Sequence, residues 1–209
     1  MIKRIFSFYR LPIYILAHPV DGFYNMKFQK EGTVRLALLN FLLMCVSSAF
    51  MNQYTSLRVV PSHPLSGNSV YLFVSFSIAL LLFCTSNWAV SSISEGEGRF
   101  KDIIMVCGYS MTPIILTYIP VTIFSNFLAA GESGFYFMII NIAVGYSLLI
   151  GFIGLITVHN YTVVKAIINI FLTVVALLVI IFLLTLLMSM WRQLWVFVQS
   201  IYLEMTFRS

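Results

Sequence analysis

Five apolar runs, each about twenty residues long, constrain what this chain can fold into more than any other feature of its sequence. A helix of about 20 apolar residues matches the roughly 30 Å hydrocarbon core of a bilayer. A helix also satisfies its own backbone polar groups where there is no water. The sequence therefore predicts an all-α polytopic membrane bundle of five transmembrane helices, at about Val34–Gln53, Val70–Ile93, Ile103–Leu128, Phe135–Val158 and Ala166–Met190.

The composition supports an integral membrane protein and argues against a soluble or nucleic-acid-binding one. Of the 209 residues, 60% are hydrophobic and only 9% are charged, whereas soluble domains average about 45–50% apolar and about 25% charged residues. The formal net charge is +5. The basic residues cluster before the first span, without the stacking aromatics of a nucleic-acid groove, so we expect no nucleic-acid partner.

The three cysteines point to neither a disulfide framework nor a metal site. Cys45, Cys84 and Cys107 all fall within apolar runs and are widely separated in the sequence. An odd number of such thiols is typical of core side chains. We expect no cofactor.

Both ends of the chain differ from the five spans. Residues 1–30 mix basic with apolar side chains, which is typical of an interfacial segment. Within it, Pro19 and the pair Asp21-Gly22 favour a turn, so the run His18–Phe23 should bend the chain back at the membrane surface. Residues 191–209 carry apolar side chains at heptad-like spacing and predict an interfacial amphipathic helix. The predicted domains are 1–30, 31–190 and 191–209.

The distribution of basic residues predicts the orientation. With the N-terminus in the cytoplasm, nine of the twelve lysines and arginines lie inside and three lie outside. The excess of Lys and Arg in cytoplasmic segments is the usual determinant of orientation. We therefore expect a cytoplasmic N-terminus and an external C-terminus.

The segment that begins the third span concentrates charge and helix-breaking residues. Three of the chain's seven acids lie with glycines between Glu95 and Asp102, just before the span. Pro113 and Pro120 then interrupt the span, and each removes a backbone hydrogen bond. Freed carbonyls in hydrocarbon need partners. We expect this span to be packed inside the bundle, where neighbouring helices, hydroxyls or water satisfy them.

Pro113 also leads to a prediction about the inner surface. A bend there lets the first half of the span tilt independently of the second half, and Gly108 permits a close neighbour. We expect the charged turn to lie against the His18–Phe23 bend. The expected contacts join Glu97 or Asp102 to the Gly22 region or to Lys27 or Lys30.

The fourth span carries a face of small residues. Ala143, Ser147 and Gly151 recur every four residues, with Gly154 close by. Small residues let the backbones of two membrane helices approach closely. The partner of this face is left open between another helix of this chain and another subunit.

Enzyme and carrier functions find little support in the residues. The sequence has no His-Glu-x-x-His helix, Gly-x-Ser-x-Gly elbow or glycine-rich phosphate loop. A metal site from Glu95, Glu97, Asp102, His18 and His159 is less favoured than solvated ion pairs. No span interior holds a charge, which argues against a carrier. Three asparagines are interpreted as interhelical hydrogen-bond donors: Asn87, Asn126 and Asn141.

The run Gly108-Tyr109-Ser110-Met111-Thr112-Pro113 and the five-span layout resemble the Ypt-interacting protein (YIP) membrane-domain family, whose third span typically carries Gly-Tyr followed closely by proline. The resemblance covers about Phe23 to Met190. The His18–Phe23 start and the turn Glu95-Gly96-Glu97-Gly98-x-Phe100 are similar to the bacterial branch, whose members resemble accessory proteins of carbohydrate ABC importers. Eukaryotic members carry an Asp-Leu-Tyr-Gly-Pro-type motif and are linked to Rab GTPases. This chain lacks that motif, so the Rab role is not implied.

The resemblance implies a non-enzymatic accessory or scaffold subunit in a bacterial plasma membrane, associated with an oligosaccharide ABC importer. Its expected partners are membrane lipid and the importer permease. The alternative is a small independent carrier or channel. The expected interaction residues are His18, Pro19, Asp21, Gly22, Phe23, Glu95, Glu97, Gly98, Phe100 and Asp102. The expected packing or hinge residues are Gly108, Tyr109, Pro113, Pro120, Ala143, Ser147, Gly151 and Gly154.

Overall fold

Helices and short connections make up the whole of the computed structural model, which describes residues 2–57, 59 and 68–208. Among these residues, five segments are long and apolar enough to cross a membrane, which confirms the predicted all-α, five-span architecture. The elements are α1 (Ile2–Ala17), α2 (Pro19–Phe28), α3 (Val34–Tyr54), α4 (Ser69–Ile93), α5 (Phe100–Ser110), α6 (Thr112–Ser125), a 3₁₀ turn (Ala130–Glu132), α7 (Ser133–His159) and α8 (Val163–Arg208). Most of the connection between α3 and α4, with Arg58, Pro61, His63, Pro64 and Gly67, lies outside the described residues; its prolines, glycine and polar side chains predict a polar loop.

The third span, α5 and α6 together, is the centre of the bundle. Helix α3 packs along both α5 and α6, and α7 packs along them as well. Helix α4 packs mainly on α8, and α2 packs on α7. The buried core contains Phe23 of α2, Ile103 and Tyr109 of α5, and Ile150 of α7. The expectation that the broken span is packed inside the bundle is therefore confirmed.

The bend between α1 and α2 occurs at His18 alone, and the predicted Asp-Gly turn is wrong. Pro19 is the first residue of α2, and Asp21 and Gly22 lie in its first turns. Proline is well suited to the first helical position because the amide hydrogen that it lacks would be unpaired there anyway. A carboxylate such as Asp21 also favours the positive end of a helix. These two effects make the segment helical where the dipeptide alone indicated a turn.

The third span breaks at Met111, between α5 and α6, as Pro113 predicted, whereas α6 continues through Pro120. The hydroxyl of Thr112 donates to the carbonyl of Tyr109 at 2.7 Å. From α7, the hydroxyl of Ser147 donates to the carbonyl of Ser110. Two carbonyls beside the break are thus satisfied by hydroxyls, one of them on a neighbouring helix, as membrane burial requires. Pro113 is buried at the start of α6, whereas Pro120 lies exposed inside that helix.

Side-chain amides of asparagines form hydrogen bonds between neighbouring helices. In the contact between α4 and α8, Asn87 Nδ2 lies 3.2 Å from Asn169 Oδ1 and 3.1 Å from Thr173 Oγ1. All three side chains are buried. Asn126 Nδ2 lies 3.4 Å from the carbonyl of Tyr54. The predicted interhelical hydrogen bonds are confirmed for Asn87 and Asn126, while Asn141 is exposed.

Helix α8 continues for 46 residues, through the predicted boundary between residues 190 and 191. Its first turns pack on the bundle through Ala166, Asn169 and Thr173. From Ile181 to Phe207 every residue is exposed. The fifth span and the predicted amphipathic segment therefore form one helix, with a packed beginning and an uncovered remainder.

Candidate functional site

The turn between α4 and α5 is shaped by close contact with the end of α7. A Cβ atom built on Gly98 would lie 2.8 Å from His159 Nε2, and one built on Gly96 would lie 2.4 Å from the Tyr161 hydroxyl. Neither glycine has a positive φ; the left-handed position of the turn is taken by Glu95, with φ 56°. The glycines are thus needed for lack of a side chain rather than for backbone freedom.

Lys27 joins α2 to this turn and to α7. Its ammonium donates to the carbonyl of Val158 at 2.7 Å and lies 3.4 Å from Glu97 Oε2. Val158 lies in the last turn of α7, where the negative end of the helix dipole favours a cation. The Lys27 side chain is 12% exposed and that of Glu97 is 56% exposed. The ion pair alone therefore contributes about a kcal/mol or less, and the contact with α7 is the better-shielded part.

The residues that follow α7 complete the cluster. Asn160 ends the helix in the left-handed conformation, with φ 56°, and its amide lies 3.4 Å from Glu97 Oε1. The rings of His159 and Tyr161 are stacked, with centroids 5.1 Å apart. Burial raises the pKa of the Tyr161 hydroxyl, an effect that its hydrogen bond with Ser94 partly offsets. We call Lys27, Glu97, His159, Asn160 and Tyr161 the junction cluster.

Asp102 serves the helix that contains it. Its carboxylate accepts a hydrogen bond from the amide of Arg99 at 3.0 Å, at the beginning of α5, and it is 5% exposed. The carboxylate also lies where the helix dipole favours negative charge. Of the two acids expected to reach the N-terminal segment, Glu97 pairs with Lys27, whereas Asp102 caps its own helix.

The Gly-Tyr pair of the third span fixes the crossing of α5 on α3. A Cβ atom on Gly108 would lie 2.5 Å from the carbonyl oxygen of Ala37. The Tyr109 hydroxyl lies 3.0 Å from both the amide nitrogen and the carbonyl oxygen of Thr33, and its side chain is fully buried. Gly108 thus allows the close approach that was expected of it. Tyr109 thus accepts from the amide of Thr33, before α3 begins, and donates to the Thr33 carbonyl, which also accepts from the amides of Leu36 and Ala37.

The small-residue face of α7 packs within this chain. Ser147 bonds to α5, Ala143 is buried, and a Cβ atom on Gly151 would contact Ser110 at an ordinary 3.5 Å. Gly154 is tighter, because its Cβ would lie 2.7 Å from Val106 and 2.8 Å from Phe23. Of the two partners left open for this face, the structure places helices α2 and α5 of the same chain there.

The ten predicted interaction residues divide between surface and core. His18, Asp21, Glu95 and Glu97 are exposed. Pro19, Gly98 and Phe100 are partly buried, the last with its ring edge against Trp88. Gly22, Phe23 and Asp102 are buried, with Gly22 packed on Ile15 of α1. The buried members build the fold, so only the exposed ones are free to meet a partner.

Sequence reasoning missed the junction cluster as a unit. Tyr161 and Asn160 were not singled out, and His159 was considered only as a metal ligand. The one available signal was the pair of glycines in Glu95–Gly98, because glycines without a turn requirement indicate a close neighbour. The identity of that neighbour depends on tertiary packing between segments that are distant in the sequence.

Within the described part of the chain, no three His, Cys, Asp or Glu side chains are arranged to hold a metal ion. The candidate ligands Glu95, Glu97, Asp102, His18 and His159 are therefore not gathered into one site. The sulfur atoms of Cys84 and Cys107 lie 3.9 Å apart, well beyond the roughly 2.05 Å of a disulfide. These thiols are free neighbours in the core, although they are distant in the sequence.

One of three comparisons with known proteins finds a match, and its extent agrees with the layout of the spans. No curated protein and no solved structure matches this chain. A family model described as the Yip1 domain matches residues 13–186. The match begins in α1, includes the first four spans and the Gly-Tyr-proline segment, and ends within α8. The chain is thus a multi-pass membrane protein that belongs to the Yip1 domain family.

Proposed function

We propose that this protein is a non-enzymatic accessory subunit in a bacterial plasma membrane, where it associates with the permease of an oligosaccharide ABC importer. The observation that carries the proposal is the uncovered part of α8. Leu187 and Leu194 are 61% and 60% exposed, and they lie in a stretch from Ile181 to Phe207 in which every residue is exposed.

The length of α8 makes lipid alone an incomplete cover. At 1.5 Å per residue, 46 residues extend for about 69 Å, more than twice the roughly 30 Å hydrocarbon core. To fit inside it, the helix would have to tilt by more than about 60°, whereas membrane helices tilt by about 0–40°. Its second half must therefore leave the hydrocarbon or bend along the interface. The apolar side chains there are best covered by another membrane protein.

The choice of an importer permease rests on the resemblance of two segments to the bacterial branch of the family. These are the His18–Phe23 start and the Glu95–Phe100 turn. Of their exposed members, Glu95 and Glu97 lie in the turn before α5, whereas His18 and Asp21 lie at the beginning of α2, the opposite end of that helix from Lys27. A partner that covers α8 and also contacts these residues would meet both ends of the fifth span.

Site-specific photocrosslinking tests this function. A photoreactive residue in place of Leu187 or Leu194 should crosslink to an ABC importer permease in native membranes. The matched control is Leu81 of α4, an apolar position that is 56% exposed and lies on another helix. Crosslinks from α8 to lipid alone, or to a second copy of the chain, would contradict the importer assignment. Solute flux by the purified protein in liposomes would favour the carrier alternative.

A further inference from the structure

A pocket of about 490 Å³ opens between α2, its connection to α3 and the beginning of α5. Its charged lining consists of Lys27, Lys30, Arg99, Lys101, Glu97 and Asp102. Four cations against two acids leave a formal charge of +2. The pocket lies where α3 and α5 begin, so it is at the depth of the headgroups on one face of the membrane.

The two acids of the pocket are already engaged. Glu97 accepts from Lys27 and Asn160, and Asp102 accepts from the amide of Arg99. Lys30, Arg99 and Lys101 are exposed, and in the described part of the chain none of them forms an ion pair. The pocket thus presents three cations without an acidic partner, beside the positive end of α5.

The inner lining of the pocket is apolar. Met26 of α2 and Met105 of α5 both line it, and they are 1% and 5% exposed. Phe28 lies at the same opening, beneath the Lys27 ammonium at 4.7 Å from its ring centre. A soluble anion would use only the basic rim. An amphiphile would place its charge on the rim and its first methylene groups against the methionines.

We propose that this pocket binds the phosphate of an anionic phospholipid, with the glycerol and upper acyl carbons against Met26 and Met105. Basic pockets between membrane helices are typical sites for acidic headgroups. Arg99 supplies planar paired donors for phosphate oxygens, while Lys30 and Lys101 act as point charges. The bound lipid would link α2 to α5 beside the junction cluster. This inference does not depend on the importer assignment.

The test is native mass spectrometry of the purified full chain, titrated with phosphatidylglycerol or phosphatidylcholine. The double variant Arg99→Gln/Lys101→Gln removes two exposed cations of the pocket. The matched control Arg35→Gln/Lys165→Gln removes two exposed cations from the same membrane face, outside the pocket. We expect phosphatidylglycerol to bind more tightly than phosphatidylcholine. The pocket variant should lose about tenfold or more of that affinity, and the control should lose less than about twofold.

Two outcomes would overturn the inference. Equal losses in the pocket variant and the control would show a general effect of surface charge. In a competition experiment, millimolar inorganic phosphate and phosphatidylglycerol analogues are each added to the lipid-bound protein. If inorganic phosphate displaced phosphatidylglycerol as effectively as the analogues did, the site would be one for soluble phosphate and not for lipid. Displacement by phosphatidylglycerol analogues but not by inorganic phosphate would support the proposed contact with the methionines.

Discussion

At the scale of single residues, the glycines of this chain serve mainly as places where another group comes close. Gly98 faces the His159 ring, Gly108 faces the backbone of α3, and Gly154 faces Phe23 and Val106. No described glycine has a positive φ. By contrast, a Cβ on Gly145 would meet nothing within 4 Å. Adding a side chain is therefore sterically blocked at some glycines of this chain and unhindered at others.

We predict that Gly108→Ala destabilises the protein. The new methyl group would lie 2.5 Å from the carbonyl oxygen of Ala37, and because that atom is backbone, α3 and α5 would have to separate. Overpacking of this kind typically costs about 1–3 kcal/mol. The measurement is the free energy of unfolding in detergent titrated with sodium dodecyl sulfate. Gly145→Ala is the control and should be neutral or stabilising by up to about 1 kcal/mol, since alanine is the better helix former. Equal stability of the two variants would contradict the close crossing.

Some of these residue roles follow from the sequence and some do not. Pro113 predicts a break in the third span, because a proline lacks the amide that continues a helix. The hydroxyl that repairs the break from outside, on Ser147, cannot be identified from the sequence, since several hydroxyls lie in the spans. For the same reason the sequence left open whether Glu97 or Asp102 would reach the N-terminal segment: an acid near a helix start is equally able to cap that helix or reach another segment.

At the scale of elements, the short helix α2 is tied to the bundle by both apolar and polar contacts. Phe23 is fully buried against α7, and Met26 is buried as well. Lys27, one turn further along α2, caps the end of α7 and reaches the charged turn. Helix α2 is therefore an integral part of the membrane domain, although its sequence suggested only an interfacial segment.

We predict an asymmetry between the two partners of the Lys27–Glu97 pair. Lys27→Met should lower the free energy of unfolding by about 1–2 kcal/mol, because the carbonyl of Val158 loses a charged donor in a partly buried place. Glu97→Gln should change it by less than about 0.5 kcal/mol, because the carboxylate is mostly exposed. Chemical denaturation of both single variants and of the double variant measures the difference. A larger effect of Glu97→Gln would mean that the ion pair, and not the contact with α7, holds α2 in place.

At the scale of the whole molecule, hydropathy predicts how many spans there are better than where helices end. The first predicted span, Val34–Gln53, differs from α3 by one residue. The predicted end of the fifth span at Met190 has no counterpart, because α8 continues to Arg208. A hydropathy window reports whether a segment prefers hydrocarbon. Whether a helix stops at the interface depends on breakers and on what covers it beyond, and residues 188–207 contain neither Gly nor Pro.

The orientation of the five spans is the last prediction. Since the number of spans is odd, the segment before α3 and the end of α8 lie on opposite sides of the membrane. The excess of lysine and arginine beside α2, α3 and α5 predicts that this face lies in the cytoplasm. The test uses Glu31→Cys and Met205→Cys, both at exposed positions, in a background without Cys45, Cys84 and Cys107.

On intact cells, an impermeant maleimide should label the cysteine at position 205 and leave the one at position 31 unlabelled. Both should react once the cells are permeabilised, which controls for the intrinsic accessibility of each thiol. Labelling of position 31 alone would reverse the orientation. It would also place the basic pocket at the outer leaflet, away from the negative surface potential of the cytoplasmic leaflet. Labelling of both positions, or of neither, in intact cells would place positions 31 and 205 on the same side of the membrane and would contradict an odd number of crossings.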